Sequence, residues 1–113
     1  MNIQIFGTKK CNDTKKAERY FKERGIKFQF IDMKEKGLSK GELNSVASVN
    51  GGIANLVNPD AKDKDAVALF QYIADEDKLE KLLENQQIIK TPIVRNGKQA
   101  TVGYQPDVWK GWD

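Results

Sequence analysis

Apolar residues change their spacing several times along the chain, and each change marks an element. In NIQIF (2–6) Ile3 and Ile5 alternate with polar neighbours, the period of a strand, and Gly7-Thr8 ends it. From Asn12 the period becomes helical, with Ala17, Tyr20 and Phe21 at i, i+3 and i+4. Asn12, Asp13 and Thr14 are all suitable caps, and Gly25 stands where a helix C′ residue belongs. IKFQFID then alternates again through Ile26, Phe28 and Phe30 and predicts a second strand. Ser39 and Glu42 form a capping box that opens a helix running through Val49, with Leu43, Val46 and Ala47 on its apolar face. Asn50-Gly51-Gly52 stops it. ANLVNPDAKD reads as a polar loop or short turn. DAVALFQYI (65–73) reads as a helix, and Asp75, Glu76 and Asp77 start another with Leu79, Leu82 and Leu83 as its buried stripe.

The last third returns to strands. PIV is a short apolar strand, Asn96-Gly97 is a type I′ hairpin signal, and QATVGY is the antiparallel partner. Gln105-Pro106 starts a closing helix with Pro106 at N1, and Val108, Trp109 and Trp112 form its apolar face. The dozen or so helical residues between the first two strands make a parallel β-α-β unit. The order β-α-β, helices, β-β-α predicts an α/β, thioredoxin-like fold with a mixed four-stranded sheet. Residues 1–113 form a single domain in this reading, with a helical insertion at about 39–87.

Composition narrows the chemistry. The chain has 113 residues, 39% hydrophobic and 31% charged, a balance suited to one globular domain. MNIQIFG lacks the basic and apolar regions of a signal peptide, and no apolar run reaches the ~18 residues of a membrane span, so a cytoplasmic location away from membranes is expected. The net charge is +3, with lysines scattered in small groups such as Lys9-Lys10 and Lys15-Lys16. Nucleic-acid proteins concentrate such charge on one face, so these lysines read as solvated surface and no direct nucleic-acid partner is expected. The chain has no histidine and one cysteine. That excludes Cys–His and Ser–His–Asp catalysis and any histidine metal site, and no metal or other bound cofactor is expected. No phosphate-binding glycine motif is present.

Chemistry therefore leans on Cys11, in FGTKKCNDTKK (6–16), between the first strand and the first helix. A helix start offers unpaired N–H groups and a positive dipole end, both favouring a thiolate. Lys9 and Lys10 add positive charge; Asp13 opposes them if it points inward. A free cysteine has a pKa of about 8.5, and such settings commonly bring it to roughly 3.5–7.5. The candidate thiolate-stabilising residues are Lys10, Asn12, Asp13 and Thr14. Thr14 stands where a dithiol enzyme has its second cysteine. It can hydrogen-bond a thiolate but cannot resolve a mixed disulfide, so a second thiol must come from outside. Thr91-Pro92, just before the third strand, is the second candidate segment: in this fold that proline is cis and lies against the reactive cysteine.

Two stretches, GTKKCNDTKKAERYFKERGIKFQFIDMKEKGLSKGEL and KTPIVRNGKQATVGYQPDVW, resemble the arsenate reductase ArsC / Spx family of thioredoxin-like proteins. The resemblance covers nearly the whole chain, and the family's helical insertion matches 39–87. It implies one of two activities. One branch reduces arsenate with a single cysteine, glutathione and glutaredoxin, three arginines holding the oxyanion. The Spx-like branch carries a C-x-x-C switch and binds the RNA polymerase α-subunit. Cys11 matches the cysteine of both, and Pro92 is the family's proline. The family's arginine before that proline is Thr91 here, the arginine of the strand–helix corner falls on Gly103-Tyr104-Gln105, and residues 53–87 contain none. The three arginines present are Arg19, Arg24 and Arg95. Thr14 replaces the second switch cysteine.

The leading expectation is a glutaredoxin-related thiol oxidoreductase with Cys11 as nucleophile. N–H groups of 12–14 and Thr14 stabilise the thiolate, and Thr91-Pro92 presents backbone groups to a small thiol or protein thiol. Glutathione or a thioredoxin-like protein is the co-substrate, and arsenate reduction is not expected. The alternative is a non-enzymatic, Spx-like regulator that binds RNA polymerase or another protein.

Overall fold

A computed structural model describes residues 1–112. The chain divides into two units, one formed by Met1–Gly37 with Thr91–Asp113 and the other by Leu38–Lys90.

The first unit is built on a four-stranded sheet in the order β2-β1-β3-β4. Its strands are β1 (Ile3–Gly7), β2 (Phe28–Asp32), β3 (Ile93–Asn96) and β4 (Gln99–Val102). β1 runs parallel to β2 and antiparallel to β3, and β3 runs antiparallel to β4. The expected mixed α/β sheet is therefore present. In register, Ile5 stands opposite both Phe30 and Val94. Side chains alternate across a sheet, so Ile3, Ile5, Val94, Phe28 and Phe30 share one face. Helix α1 (Asn12–Glu23) and the short α5 (Pro106–Trp109) close over it with Ala17, Tyr20, Phe21, Trp109 and Trp112.

Each boundary has a local cause. α1 ends in a Schellman motif: the Gly25 N–H donates to the Lys22 carbonyl, the Ile26 N–H donates to the Phe21 carbonyl, and Gly25 has φ +68°. This explains why β2 starts at Phe28 rather than at Ile26, since the Ile26 N–H is spent in closing the helix. The hairpin forms, with a different turn. Asn96 pairs with Gln99, so the central residues are Gly97 and Lys98. Gly97 has φ +61° and Lys98 a negative φ, the sign pattern of type II′ rather than type I′. At the closing helix Pro106 is at N1 as expected, but the helical turn is short and gives way to a 3-10 turn at Lys110–Trp112. Trp109 and Trp112 are buried; Val108 is exposed, so the expected three-residue apolar face has two members. The Trp109 indole N–H donates to the Thr101 hydroxyl at 2.8 Å, which satisfies its one polar atom in the core.

The second unit is helical. The Ser39–Glu42 capping box is present with both of its bonds and opens α2 (Lys40–Ser48), which Val49 caps. α3 (Lys64–Tyr72) and α4 (Lys78–Glu84) follow. The stretch expected as a polar loop contains a 3-10 turn, Ile53–Leu56, with Leu56 fully buried, and Val57 forms an antiparallel bridge with Ile89. Of the expected stripe on α4, Leu82 is fully buried and Leu79 and Leu83 are half-buried. Gln86 ties the start of this unit to its end, accepting from the Leu38 N–H and donating to the Leu38 carbonyl, both at 2.8 Å. No helix among the described residues is long and apolar enough to cross a membrane.

Candidate functional site

Cys11 is the N-cap of α1, with extended backbone at φ −80° and ψ 118°. The caps expected at Asn12, Asp13 or Thr14 are thus displaced by the cysteine itself. Three bonds fix the loop: the Cys11 N–H donates to the Thr8 carbonyl, the Lys15 N–H donates to the Cys11 carbonyl, and β1 ends in Gly7, whose carbonyl accepts from the Met33 N–H. Gly7 is required sterically. A Cβ there would collide with the Thr14 side chain, which fills that space completely buried.

Thr91 approaches from the other end of the sequence. Its hydroxyl donates to the Cys11 sulfur at 3.1 Å, and its carbonyl lies 3.7 Å from the sulfur, in reach of the thiol proton. The Thr91-Pro92 peptide is cis. The Pro92 carbonyl accepts from the Gly103 N–H at 2.8 Å, and proline has no N–H. Thr91 is therefore the member of the pair whose polar groups meet the sulfur.

The thiol is half-buried. Its pKa is set by two opposed effects. Burial raises it, because a thiolate loses hydration. Hydrogen bonds from the side chains of Thr14 and Thr91 and from the N–H groups of Thr14 and Asp13 outweigh that and lower it below the ordinary value. The Thr91 bond has ordinary geometry. The N–H groups and the Thr14 hydroxyl do not: the sulfur makes no regular capping bond, and Thr14 Oγ1 is buried with no partner at ordinary bonding distance. These groups favour the anionic sulfur over the neutral thiol, since each lowers the pKa. A buried hydroxyl without a partner is costly, and ionisation of Cys11 gives this one something to donate to.

Of the residues expected to stabilise the thiolate, the site brings together Thr14 and the Asp13 backbone; Thr91, expected to present its backbone to a bound thiol, joins them through its hydroxyl. Lys10 and Asn12 are exposed and contribute nothing to the shift. A lysine charge in bulk water is screened and poorly focused on a half-buried sulfur. The Asp13 carboxylate is 4.0 Å from the Lys16 ammonium, an exposed i, i+3 pair. Two features are not apparent from spacing alone, the Thr91 hydroxyl as a direct donor and Gly7 as the seat of Thr14. A hydroxyl residue immediately before the proline, and a glycine closing a strand one loop before a cysteine, are the signals that carry them.

No arginine contacts the sulfur among the described bonds. Arg95 is on β3 and donates to the Gln4 side chain at 2.9 Å. Arg24, at the far end of α1, donates to the Tyr20 carbonyl at 3.1 Å.

Known proteins resemble this chain in sequence and in fold. The chain is similar to the uncharacterised protein YusI of Bacillus subtilis, with 23% identity over 95% of this chain and 94% of that protein. It is 29% identical to the global transcriptional regulator Spx 2 of Oceanobacillus iheyensis, over 95% of this chain and 80% of that protein. Its fold matches the crystal structure of an ArsC family related protein from Bacteroides fragilis, with a TM-score of 0.85 at 18% identity, covering 100% and 98% of the two chains. The ArsC family model matches residues 6–112, so nearly the whole length, from the first strand to the closing helix, places the chain in the ArsC family.

Proposed function

We propose that the chain is a single-cysteine thiol oxidoreductase, related in chemistry to the glutaredoxins, with Cys11 as nucleophile. The observation that carries this reading is the Thr91 hydroxyl at 3.1 Å from the sulfur of the residue at the N-cap position of α1, a thiol whose pKa is lowered. A thiol whose pKa is lowered by fixed neutral donors yields the thiolate that attacks a disulfide more readily than an ordinary thiol does. In the forward step the Cys11 thiolate attacks the glutathione sulfur of a protein–glutathione mixed disulfide. The old S–S bond breaks, the protein leaves as a thiolate and takes up a proton, and Cys11 carries glutathione. A second glutathione, as its thiolate, attacks the Cys11-bound sulfur; oxidised glutathione leaves and the Cys11 thiolate is restored. Thr14 stands one turn from Cys11 and has no sulfur, so the second thiol comes from glutathione or a thioredoxin-like protein. Thr91 contributes its hydroxyl to the attacking sulfur and its carbonyl to the incoming thiol. Lys10 and Asn12 have no part in this scheme, and Asp13 acts through its N–H.

Arsenate reduction makes a further demand. Negative charge grows on oxygens that need fixed donors, and bidentate clamping of an oxyanion is an arginine task. Thr91 and Gly103-Tyr104-Gln105 stand where the family's arginines are expected. The test is release of glutathione from a glutathionylated peptide with glutathione as reductant. Turnover that disappears in Cys11→Ser is expected. Absence of turnover, or turnover that persists in Cys11→Ser, contradicts the proposal.

A second reading, a non-enzymatic Spx-like regulator, is supported by the 29% identity to a transcriptional regulator and by apolar surface on α3, where Leu69 and Tyr72 are exposed one turn apart. Its partner would be the RNA polymerase α-subunit. Binding of that subunit, unchanged in Cys11→Ser and weakened in Tyr72→Ala, would favour this reading over the first.

A further inference from the structure

Two of the chain's three arginines, Arg19 and Arg24, line a single cavity of about 290 Å3 beside α1 and the stretch from Tyr104 to Lys110. Lys16 and Lys110 line it too, together with the carboxylates Glu23 and Asp107. Four cations against two anions leave an excess of two positive charges in this one place, in a chain whose net charge is +3.

The cations are held so that an anion can use them. The Arg24 guanidinium lies 3.7 Å from the centre of the Tyr20 ring and gives one N–H to the Tyr20 carbonyl. A guanidinium has five N–H donors in a rigid plane, so stacking fixes the plane while most donors stay open. Arg19 makes no ion pair among the described residues. Lys16 and Lys110 are in loose, exposed pairs, 4.0 Å from Asp13 and 3.7 Å from Asp107. Such pairs hold weakly and yield to a better anion. The floor is aromatic and rigid: Tyr20 and Tyr104 both meet the buried Trp109 edge-on, with ring centres 5.2 and 5.5 Å away. The Tyr104 ring is partly exposed, with Lys16 over it.

We propose that this cavity binds a small organic dianion, two carboxylate or phosphate groups joined by a short frame that rests on Tyr104. Two arginines provide two forks for planar, bidentate recognition. The volume, at the low end of small-ligand sites, limits the ligand to a compact molecule. The site is independent of the thiol chemistry, since Arg19 and Arg24 lie about 12 and 20 Å along the helix from Cys11 at 1.5 Å per residue.

Isophthalate and pyrophosphate are the probes, with benzoate as the single-anion control. Titrations at about 0.15 M salt, where distant charges are screened, are followed by tryptophan emission and by the guanidinium N–H resonances of Arg19 and Arg24. Saturable binding of at least one dianion is expected, at least tenfold tighter than benzoate. Arg19→Gln should weaken it at least fivefold, Arg24→Gln should do the same, and Lys98→Gln on the hairpin turn should leave it unchanged. Because Arg24→Gln can also loosen Tyr20, the exposed Arg19→Gln decides. A preference for isophthalate assigns carboxylates, and a preference for pyrophosphate assigns phosphates. A response that does not saturate, that is equal for benzoate, that is unchanged in Arg19→Gln, or that falls equally in Lys98→Gln would overturn the proposal.

Discussion

The two ends of α1 solve different electrostatic problems. At its N-terminus a sulfur that gains negative charge is met by neutral donors: the Thr91 and Thr14 hydroxyls and the N–H groups of Asp13 and Thr14. Toward its C-terminus the chain places Arg19 and Arg24, the latter's guanidinium stacked on Tyr20, with Lys16 of the second turn over the Tyr104 ring. No formal charge is thus among the groups that shift the Cys11 pKa. A large, soft thiolate is well served by aligned dipoles in a half-buried site. A compact oxyanion such as arsenate needs several charged, rigid donors, and those described are elsewhere. Family membership alone would lead one to expect both at Cys11.

The largest expected effect separates these two tasks. With one preparation, glutathionylated peptide should turn over and arsenate should not, even with glutathione and glutaredoxin supplied. Loss of a single oxyanion donor can cost a factor of ~10²–10³, and several are missing. Cys11→Ser should abolish the thiol reaction while the protein stays folded. Robust arsenate turnover that depends on Cys11 would break the comparison and assign oxyanion binding to lysines or backbone amides.

Next in size is the aromatic packing beneath the C-terminal half of α1. Trp109 packs against Tyr20, Phe21 and Tyr104, so Trp109→Ala should cost ~3–5 kcal/mol, as for other large buried aromatics. Urea unfolding followed by circular dichroism measures it. A loss below about 1 kcal/mol would mean that the aromatic cluster is not what holds α5 on α1.

A smaller pair of substitutions sharpens the assignment of the thiolate donors. Thr91→Val removes one hydroxyl of nearly the same shape and should raise the Cys11 pKa and slow alkylation at pH 7 several-fold. Lys10→Gln should change neither by more than experimental error. The reverse pattern would return the stabilisation to lysine charge.

Much of this arrangement is legible in the sequence because it depends on local rules. Gly25 ends α1 with the positive φ it was expected to supply, and Ser39 and Glu42 cap α2 as written. The position of Cys11 at a helix start follows from the same periodicity. What escapes is set by contacts between distant residues. Thr91 is eighty positions from Cys11, and no spacing shows that its hydroxyl, rather than its backbone alone, meets the sulfur. Lys10 looks relevant in one dimension and proves to be exposed, because adjacency in sequence does not bring an ammonium to a half-buried atom. The hairpin shifts by one residue because strand register, set by Asn96 opposite Gln99, selects the turn. Val108 reads as core by its apolarity, but it sits inside α5 one residue before Trp109, about 100° round the helix from the side that Trp109 buries, and is exposed.

The most direct test is the pH dependence of Cys11 alkylation by iodoacetamide in the wild-type protein, in Thr91→Val and in Thr14→Val. The account predicts a wild-type apparent pKa below the ordinary thiol value of about 8.5 that rises in both variants and is unmoved by Lys10→Gln. A wild-type value at or above about 8.5, or one that neither threonine variant raises, would contradict it.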